Sequence, residues 1–350
     1  MELDPAEAAL WDLSGGFPVH VVKQLASHDW LGGTPLALGE FCAEVGAVCS
    51  SLRGLVTVQA MVSAALSRWG TAAQRSHWLP RLAAGEEIAG FAATEANAGT
   101  DLSAVATTIE AGPDGLTVSG EKRWVTCGGI ATLLLVLGVL DGKPATVLVE
   151  TDRAAVHLDP VQDQLGMRAA HIAHVRLDQV RVPRENLVAP PGFGLSHVVA
   201  TALDHGRFTV AWGCVGMAEA CLRDAAEHAT TRLQAGIPLS DHQLVRSMLA
   251  RAAVDTDNAR LSCIAAAQSR LDGAPNAIAR TVMAKYTASR AAAAVSADAV
   301  QILGSAGIAP DSRAGRFYRD AKVMQIIEGA DQVSELHIAD HVLREHRRRT

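Results

Sequence analysis

The chain has 350 residues, with 31 Lys or Arg, 37 Asp or Glu, and an apolar content of 49%. A single hydrophobic core stops growing at about 250–300 residues, so this composition predicts a globular protein of two or three domains and excludes a disordered chain. The formal net charge of −6 excludes the basic surface that nucleic-acid binding needs, and we expect no such partner.

The sequence predicts a cytoplasmic protein without a membrane-spanning segment. Its first ten residues, MELDPAEAAL, are acidic where a signal peptide would be basic. The longest uncharged apolar stretch, Trp124 to Leu140, is shorter than the ~20 residues that cross a bilayer. We interpret this stretch as one buried strand.

The cysteine and histidine patterns predict neither a disulfide framework nor a metal site. The six cysteines contain no Cys-x-x-Cys pair, so we expect free thiols in a reducing compartment. His337 and His341 are four residues apart on a predicted helix, a spacing that could place two ring nitrogens on one metal ion. No third ligand accompanies them, and among 13 histidines one such pair is expected by chance.

Residues 1–87 predict a helical domain. From Pro18 to about Leu82, apolar residues recur at helical spacing. Gly32-Gly33 and Gly70 interrupt the pattern, and we expect Pro80 to end the last of these helices.

Residues 88–195 predict a β domain, because short alternating or fully apolar runs replace the helical pattern. The turn sequences Pro113-Asp114-Gly115 and Asp141-Gly142 separate these runs.

Residues 196–350 predict a helical bundle. Ser240 and Gln243 have the spacing of a capping box, and a further helix is expected from Pro275-Asn276 to Gly304. The chain as a whole is therefore predicted to be mostly α with a central β domain. One buried helix face is predicted to carry Val210, Cys214, Met217, Cys221 and Ala225.

One acidic residue, Glu328, is placed in an apolar run and is followed directly by Gly329. Burial would raise the pKa of its carboxyl group, which suits a general base that removes a proton from carbon near neutral pH. The pattern alone favours a helix cap or a helix-end salt bridge for this glutamate.

Two segments of the β domain combine small, hydroxyl and aromatic residues. The segment FAATEANAGTD at residues 91–101 would let a planar cofactor approach the backbone, and Trp124-Val125-Thr126 could pack against a ring system. Taken separately, the first is typical of an ordinary loop and the second of a core strand. The sequence lacks the glycine-rich patterns of a Rossmann dinucleotide site and a P-loop, and the nucleophile motif of an α/β-hydrolase.

Over residues 11–343 the chain resembles the acyl-CoA dehydrogenases, flavoenzymes with an N-terminal α domain, a central β domain and a C-terminal four-helix bundle. The resemblance depends on several segments in the family's order, among them FAATEANAGTD, EKRWVTCGG, RLQAGIPLSDHQ, QILGSAG and QIIEGADQ. It implies an FAD cofactor and a catalytic base at Glu328, with Arg207 and Gly329 as supporting residues. Some relatives carry the base at the position of Gly206, which has no side chain to act. A surface position on a helix also explains Arg207.

The cofactor contacts that the resemblance implies come from both the β domain and the helical bundle. Among them, Arg232 is expected to reach the FAD diphosphate of a neighbouring subunit, so the resemblance implies a homodimer or homotetramer. The implied FAD-binding residues are Phe91, Thr94, Gly99, Thr100, Trp124, Thr126, Arg232, His242, Gln243, Gln301, Gly304 and Gln332.

The chain also departs from the family pattern. The N-terminal domain is short, and Ala235 and Ala330 replace a Phe and a hydroxyl residue, which puts two flavin contacts in doubt. Ala96, Ser305 and Ile327 replace a Pro, a Gly and a Tyr.

The segments CSSLRGLVTVQAM at residues 49–61 and RFTVAWGCVGMAEAC at residues 207–221 are similar to a subgroup of the family in polyketide extender-unit pathways. That subgroup acts on hydroxy-, methoxy- or aminomalonyl units bound to an acyl carrier protein. The resemblance implies oxidation of a carrier-bound C3 unit, with an electron-transfer flavoprotein as a possible acceptor. Two alternatives stay open: a catabolic short-chain acyl-CoA dehydrogenase that acts on CoA thioesters, and a non-catalytic flavin-binding scaffold.

Overall fold

The structure is a computed structural model that describes residues 3–349, and the chain begins there with helices. Asp4, Thr34 and Thr71 each accept a hydrogen bond from the first turn of the helix that they precede, which explains where these helices start. Pro80 does not end its helix, contrary to the expectation: α5 continues to Ala83 without the backbone hydrogen bond that proline cannot donate. The five helices are α1 Pro5–Ser14, α2 His20–Ala26, α3 Pro35–Gly46, α4 Ser50–Trp69 and α5 Ala72–Ala83.

The middle of the chain folds into one eight-stranded sheet, as the β prediction requires. Along the sheet the strand order is β6-β7-β3-β2-β4-β5-β8, and β1 pairs in parallel with the first half of β4. The strands are β1 Ala89–Ala92, β2 Thr108–Gly112, β3 Gly115–Val125, β4 Leu133–Leu140, β5 Lys143–Glu150, β6 Val156–Pro160, β7 Ala173–Val182 and β8 Leu187–Val188.

The interpretation of Trp124 to Leu140 as one strand is wrong. Strand β3 ends at Val125, a turn follows, and only Leu133–Leu140 forms the buried strand β4. Trp124 and Cys127 have φ angles of 58° and 59°, so the chain reverses at this point instead of continuing as a strand. The predicted turn at Asp141-Gly142 is confirmed, with both residues at positive φ between β4 and β5.

The rest of the chain forms the predicted helical bundle, and its predicted buried face on α6 is buried. The capping box at Ser240 does not form, because Ser240 lies in a 3₁₀ turn, and α7 starts after His242 without a side-chain cap. The predicted helix before Gly304 is confirmed as α8. The elements are α6 Ala200–Thr231, the hairpin β9 Leu233–Gln234 and β10 Ile237–Pro238, α7 Gln243–Leu271, α8 Ala277–Leu303, α9 Arg313–Met324 and α10 Asp331–Arg349.

Helix α8 packs against α6, α7, α9 and α10 in the bundle. By length and composition alone, the segment 277–308 could cross a membrane. The core helix of a globular bundle meets the same criterion, and α8 carries the fully buried Lys285 on the side that faces the protein.

Small residues on α6 join the bundle to the N-terminal helices. A Cβ atom at Gly216 would lie 1.9 Å from the carbonyl oxygen of Ala43 on α3, and one at Gly213 would lie 2.6 Å from the side chain of Arg53 on α4. Helix α6 therefore approaches the backbone of α3 and the side chains of α4 at distances that only glycine permits.

We expect Gly216→Ala to lower the free energy of unfolding by about 1–3 kcal/mol, because the added methyl group would overlap the backbone of α3. Denaturant unfolding followed by circular dichroism measures the change. Gly112→Ala is the matched control, since a Cβ atom there meets nothing within 4 Å. Equal stability of the two variants would contradict the close packing of α6 on α3.

Candidate active site around Glu328

Glu328 lies in the bend between α9 and α10. Its φ angle is 55° and that of Gly329 is 97°, so two consecutive residues adopt left-handed conformations. Arg207 Nε donates a hydrogen bond to the carbonyl oxygen of Glu328 at 2.8 Å, and Lys285 Nζ donates one to the carbonyl oxygen of Gly329, also at 2.8 Å. Two cations therefore hold the backbone of the bend.

The bend directs the carboxyl group of Glu328 over Gly206 on α6. A Cβ atom at position 206 would lie 2.6 Å from Oε2 of Glu328 and 2.9 Å from Sδ of Met61 on α4. The missing side chain at position 206 thus makes room for the carboxyl group that the sequence predicts as the base. Oε2 is buried and has no hydrogen-bond partner within residues 3–349, so it can accept a proton from a substrate.

Burial raises the pKa of Glu328 from 4.5 to about 7, while the charges of Arg207, Lys285 and Arg53 act in the opposite direction. A carboxyl group with this pKa is substantially ionised near neutral pH and still basic enough to remove a proton efficiently. The electrostatics therefore fit a general base.

The two cofactor segments that the sequence predicts lie side by side at one end of the sheet. The backbone N–H of Arg123 donates a 2.8 Å hydrogen bond to the carbonyl oxygen of Thr94, which places Thr94 beside Trp124. Behind them, the fully buried Lys122 forms a 2.7 Å ion pair with Glu95 and donates to the carbonyl oxygen of Ala93. This pair fixes the start of the 91–101 loop to β3.

The residues at this end of the sheet suit a planar ring such as a flavin. Trp124 is 56% exposed, and its ring stands edge-on to His174 with the centroids 5.4 Å apart. Gly99 and Thr100 are exposed, and a Cβ atom at Gly99 would meet nothing within 4 Å. Phe91 is partly buried and packs against two neighbouring hydrophobic clusters.

Helix α4 connects the cofactor segments to the base. A Cβ atom at Gly54 would lie 3.5 Å from Cγ2 of Thr126, and two turns later Met61 lies against Gly206 and the Glu328 carboxyl group. Seven residues of helix advance by roughly 10 Å. Thr126 and Glu328 therefore both lie beside α4, at positions about two turns apart along this helix.

The other predicted cofactor residues are not brought to this place. Gly206 lies near the start of α6 and Arg232 follows its end, which separates them by roughly 39 Å of helix. Gln332 is exposed on the first turn of α10 and stays near Glu328. The distant set, all at the Arg232 end of the bundle, consists of Arg232, His242, Gln243, Gln301 and Gly304.

Sequence reasoning missed Lys285 and Lys122, which support the two halves of the site. The signal that could have found them is their scarcity, because the chain has only five lysines. Both have no exposed side-chain surface, and a lysine is rarely fully buried unless it is paired or hydrogen bonded. Sequence reasoning also missed Arg53, which is buried as well.

Comparison with known protein families supports the same assignment over almost the whole chain. Models of the N-terminal, middle and C-terminal domains of acyl-CoA dehydrogenases match residues 2–86, 90–180 and 194–343. The chain belongs to the acyl-CoA dehydrogenase family. Members of this family are flavin-dependent oxidoreductases that act on acyl thioesters with FAD as cofactor, so the predicted family, fold class, enzyme class and cofactor are confirmed.

The chain is similar both to dehydrogenases of short acyl-CoA thioesters and to a protein of extender-unit biosynthesis. The pig mitochondrial short-chain specific acyl-CoA dehydrogenase (Sus scrofa) is 33% identical over 80% of this chain and 69% of its own length. The structure of butyryl-CoA dehydrogenase from Megasphaera elsdenii is 27% identical, with a TM-score of 0.91 over 96% of this chain and 93% of the other. The structure of FkbI, described as a protein for biosynthesis of a methoxymalonyl extender unit, is 38% identical, with a TM-score of 0.90 over 97% of this chain and 96% of FkbI.

We expect Glu328→Gln to lower the rate of substrate oxidation by at least about 10²-fold, because the amide cannot accept the proton. The parent rate should rise with pH around a midpoint near 7, since the base acts in its ionised form above its pKa. Flavin reduction measured anaerobically on both sides of neutral pH gives both results. An unchanged FAD content is the control, and a variant reduced as fast as the parent would remove Glu328 from the mechanism.

Proposed function

We propose that this protein is an FAD-dependent dehydrogenase of a C3 acyl unit bound to a carrier protein, in the biosynthesis of a polyketide extender unit. The observation that carries the proposal is the 38% identity with FkbI over nearly the full length of both chains. Identity with the pig short-chain dehydrogenase is 33% and covers a smaller part of both chains.

The packing of α4 on α6 supports a short acyl group. Met61 lies against Gly206, and the side chain of Arg53 lies against Gly213, so both side chains fill the gap between the two helices beside the base. A long alkyl chain would have to displace them. This packing favours a short acyl group and agrees with a C3 unit.

In the proposed reaction, Glu328 takes a proton from the substrate, either from the α-carbon of a saturated thioester or from a hydroxyl group of a hydrated C3 aldehyde. Thr94, Trp124 and Thr126 would hold FAD, which would supply a hydride acceptor for the neighbouring carbon or for the aldehyde carbon. Arg207 and Lys285 keep the carboxyl group in place during the transfer through their bonds to the Glu328 bend.

Two alternatives make different predictions. A catabolic short-chain acyl-CoA dehydrogenase is favoured by the curated relatives and would act on CoA thioesters. A non-catalytic scaffold does not explain why a buried carboxyl oxygen lacks a hydrogen-bond partner. The position of Glu328 therefore argues against this alternative.

We expect a carrier-bound hydroxyacyl C3 unit to bleach the flavin of the purified protein faster than butyryl-CoA does. Anaerobic rapid mixing measures the two rates side by side. The same C3 unit on CoA separates recognition of the carrier from recognition of the acyl group, and Glu328→Gln is the blank. Rapid bleaching by CoA esters with none by the carrier-bound unit would overturn the proposal in favour of the catabolic alternative.

We also propose that the protein acts as a homo-oligomer. Roughly 39 Å of helix separates Arg232 from Gly206, so the cofactor residues at the Arg232 end of α6 suit an FAD held by a second copy. Apolar residues exposed on the bundle support a contact between copies. These residues include Leu244, Leu261, Leu271 and Leu336, which are 81%, 56%, 59% and 69% exposed.

Arg232→Ala should weaken FAD retention, because the exposed guanidinium that would bind the diphosphate of the neighbour's cofactor is lost. The FAD-to-protein ratio after gel filtration measures the effect. Arg223→Ala, which removes an exposed arginine from the same helix, should retain FAD like the parent. An FAD-loaded monomer on sizing would contradict the proposed role of Arg232.

A further inference from the structure

Arg53 on α4 is a buried cation without a carboxylate partner. It is 1% exposed, and no ion pair within 4 Å involves it among residues 3–349. Nη1 donates to Oγ1 of Thr57 at 2.7 Å, Nη2 lies 3.0 Å from Sδ of Met324, and the buried Nε has no partner. A buried charge that is not paired destabilises a fold by several kcal/mol, so its presence calls for a compensating anion nearby.

Two series of contacts lead from Arg53 towards the base. Met324 is the last residue of α9, four residues before Glu328. Thr57 Oγ1 lies 3.0 Å from Oγ1 of Thr209, and Thr209 Oγ1 lies 3.0 Å from the carbonyl oxygen of Gly206, the residue beneath the Glu328 carboxyl group.

We propose that Arg53 is a positioning residue for the base: its buried charge stabilises the carboxylate form of Glu328 through the protein interior, without touching the substrate. The inference deepens the proposed function and rests on Glu328 as the base. An interior of low dielectric carries such an attraction over several ångströms, where water would screen it. Attraction to Glu328 and to the buried Asp320 offsets part of the cost of burying Arg53.

The charged groups around Glu328 divide into two kinds. Arg207 on α6 and Lys285 on α8 bind the backbone of the bend, so their removal would also release the carboxyl group from its place. Arg53 on α4 contacts neither carbonyl and acts on Glu328 through charge alone.

Acidic and neutral neighbours complete the surroundings of the base. Oδ2 of Asp331 on α10 lies 3.7 Å from Nη1 of Arg290. Asp320 on α9 accepts a hydrogen bond from the backbone N–H of Met167. His337 on α10 lies near Arg207. None of these groups forms a hydrogen bond or ion pair with the Glu328 carboxyl group among the described residues. Arg53 is therefore the cation whose removal tests charge with the least change in geometry.

The test is the substitution Arg53→Met, with Arg53→Gln as a second neutral variant that can keep the bond to Thr57. We expect the titration midpoint of Glu328 to rise by about one pH unit in both, and Arg53→Lys to restore most of the parent value. Carbon NMR of labelled glutamate measures the midpoint in the FAD-free protein, with Glu328→Gln to assign the signal. An unchanged midpoint in a folded neutral variant would overturn the proposal.

Arg316→Met is the matched control. Arg316 on α9 is also buried, at 4% exposure, and donates to the carbonyl oxygen of Val48, but it is not among the charges that act on Glu328. We expect this variant to lose stability comparably without moving the midpoint. An equal rise with Arg316→Met would show a general loss of packing and overturn the assignment to Arg53.

Kinetics give the second readout. With Arg53→Met, oxidation at pH 7 should slow about fivefold, recover at higher pH, and leave KM unchanged, because a positioning residue does not bind substrate. A rise in KM at constant kcat would make Arg53 a substrate contact and overturn the proposal. If the parent fails to oxidise any carrier-bound unit, the proposed function falls, and the NMR titration still decides the role of Arg53.

Discussion

The carboxyl group of Glu328 is held in place by bonds to its backbone and not by bonds to its oxygens. Arg207 and Lys285 bind the carbonyl groups of residues 328 and 329, so their charges lie close to the carboxyl group while Oε2 keeps no partner. A direct salt bridge would lower the pKa of the carboxyl group and occupy the atom that must take the proton. The backbone bonds therefore set the orientation of the carboxyl group and leave Oε2 available to accept a proton. A base in a dry site requires both.

All three domains contribute residues that support the proposed site. The β domain fixes its cofactor loop through the buried pair of Lys122 and Glu95, and the bundle fixes the base through Lys285. Helix α4 of the N-terminal domain lies between them and contacts Thr126 at one turn and Gly206 two turns later. Residues of all three domains therefore form the proposed site, and its geometry depends on how α4 packs against the β domain and the helical bundle.

Local patterns predicted most of the fold, and family motifs indicated Glu328 as the residue now proposed as the base. Periodicity and turn residues located the helices and the two β turns, because these depend on neighbours along the chain. Trp124 to Leu140 was misread because apolar character persists through a turn whose reversal depends on positive φ at Trp124 and Cys127. Sequence reasoning also missed Arg53 and Lys285. The helical pattern around a cation does not indicate which carbonyl or threonine it will contact in the fold.

The backbone at Glu328 has a consequence for how this protein can change. A non-glycine residue in the left-handed region costs about 1–3 kcal/mol, and an ionised carboxyl group without a partner adds a desolvation cost at the same position. The fold would be more stable with glycine or a small neutral residue there. Stability and activity therefore favour different residues at position 328. Selection for stability alone would be expected to remove the proposed base.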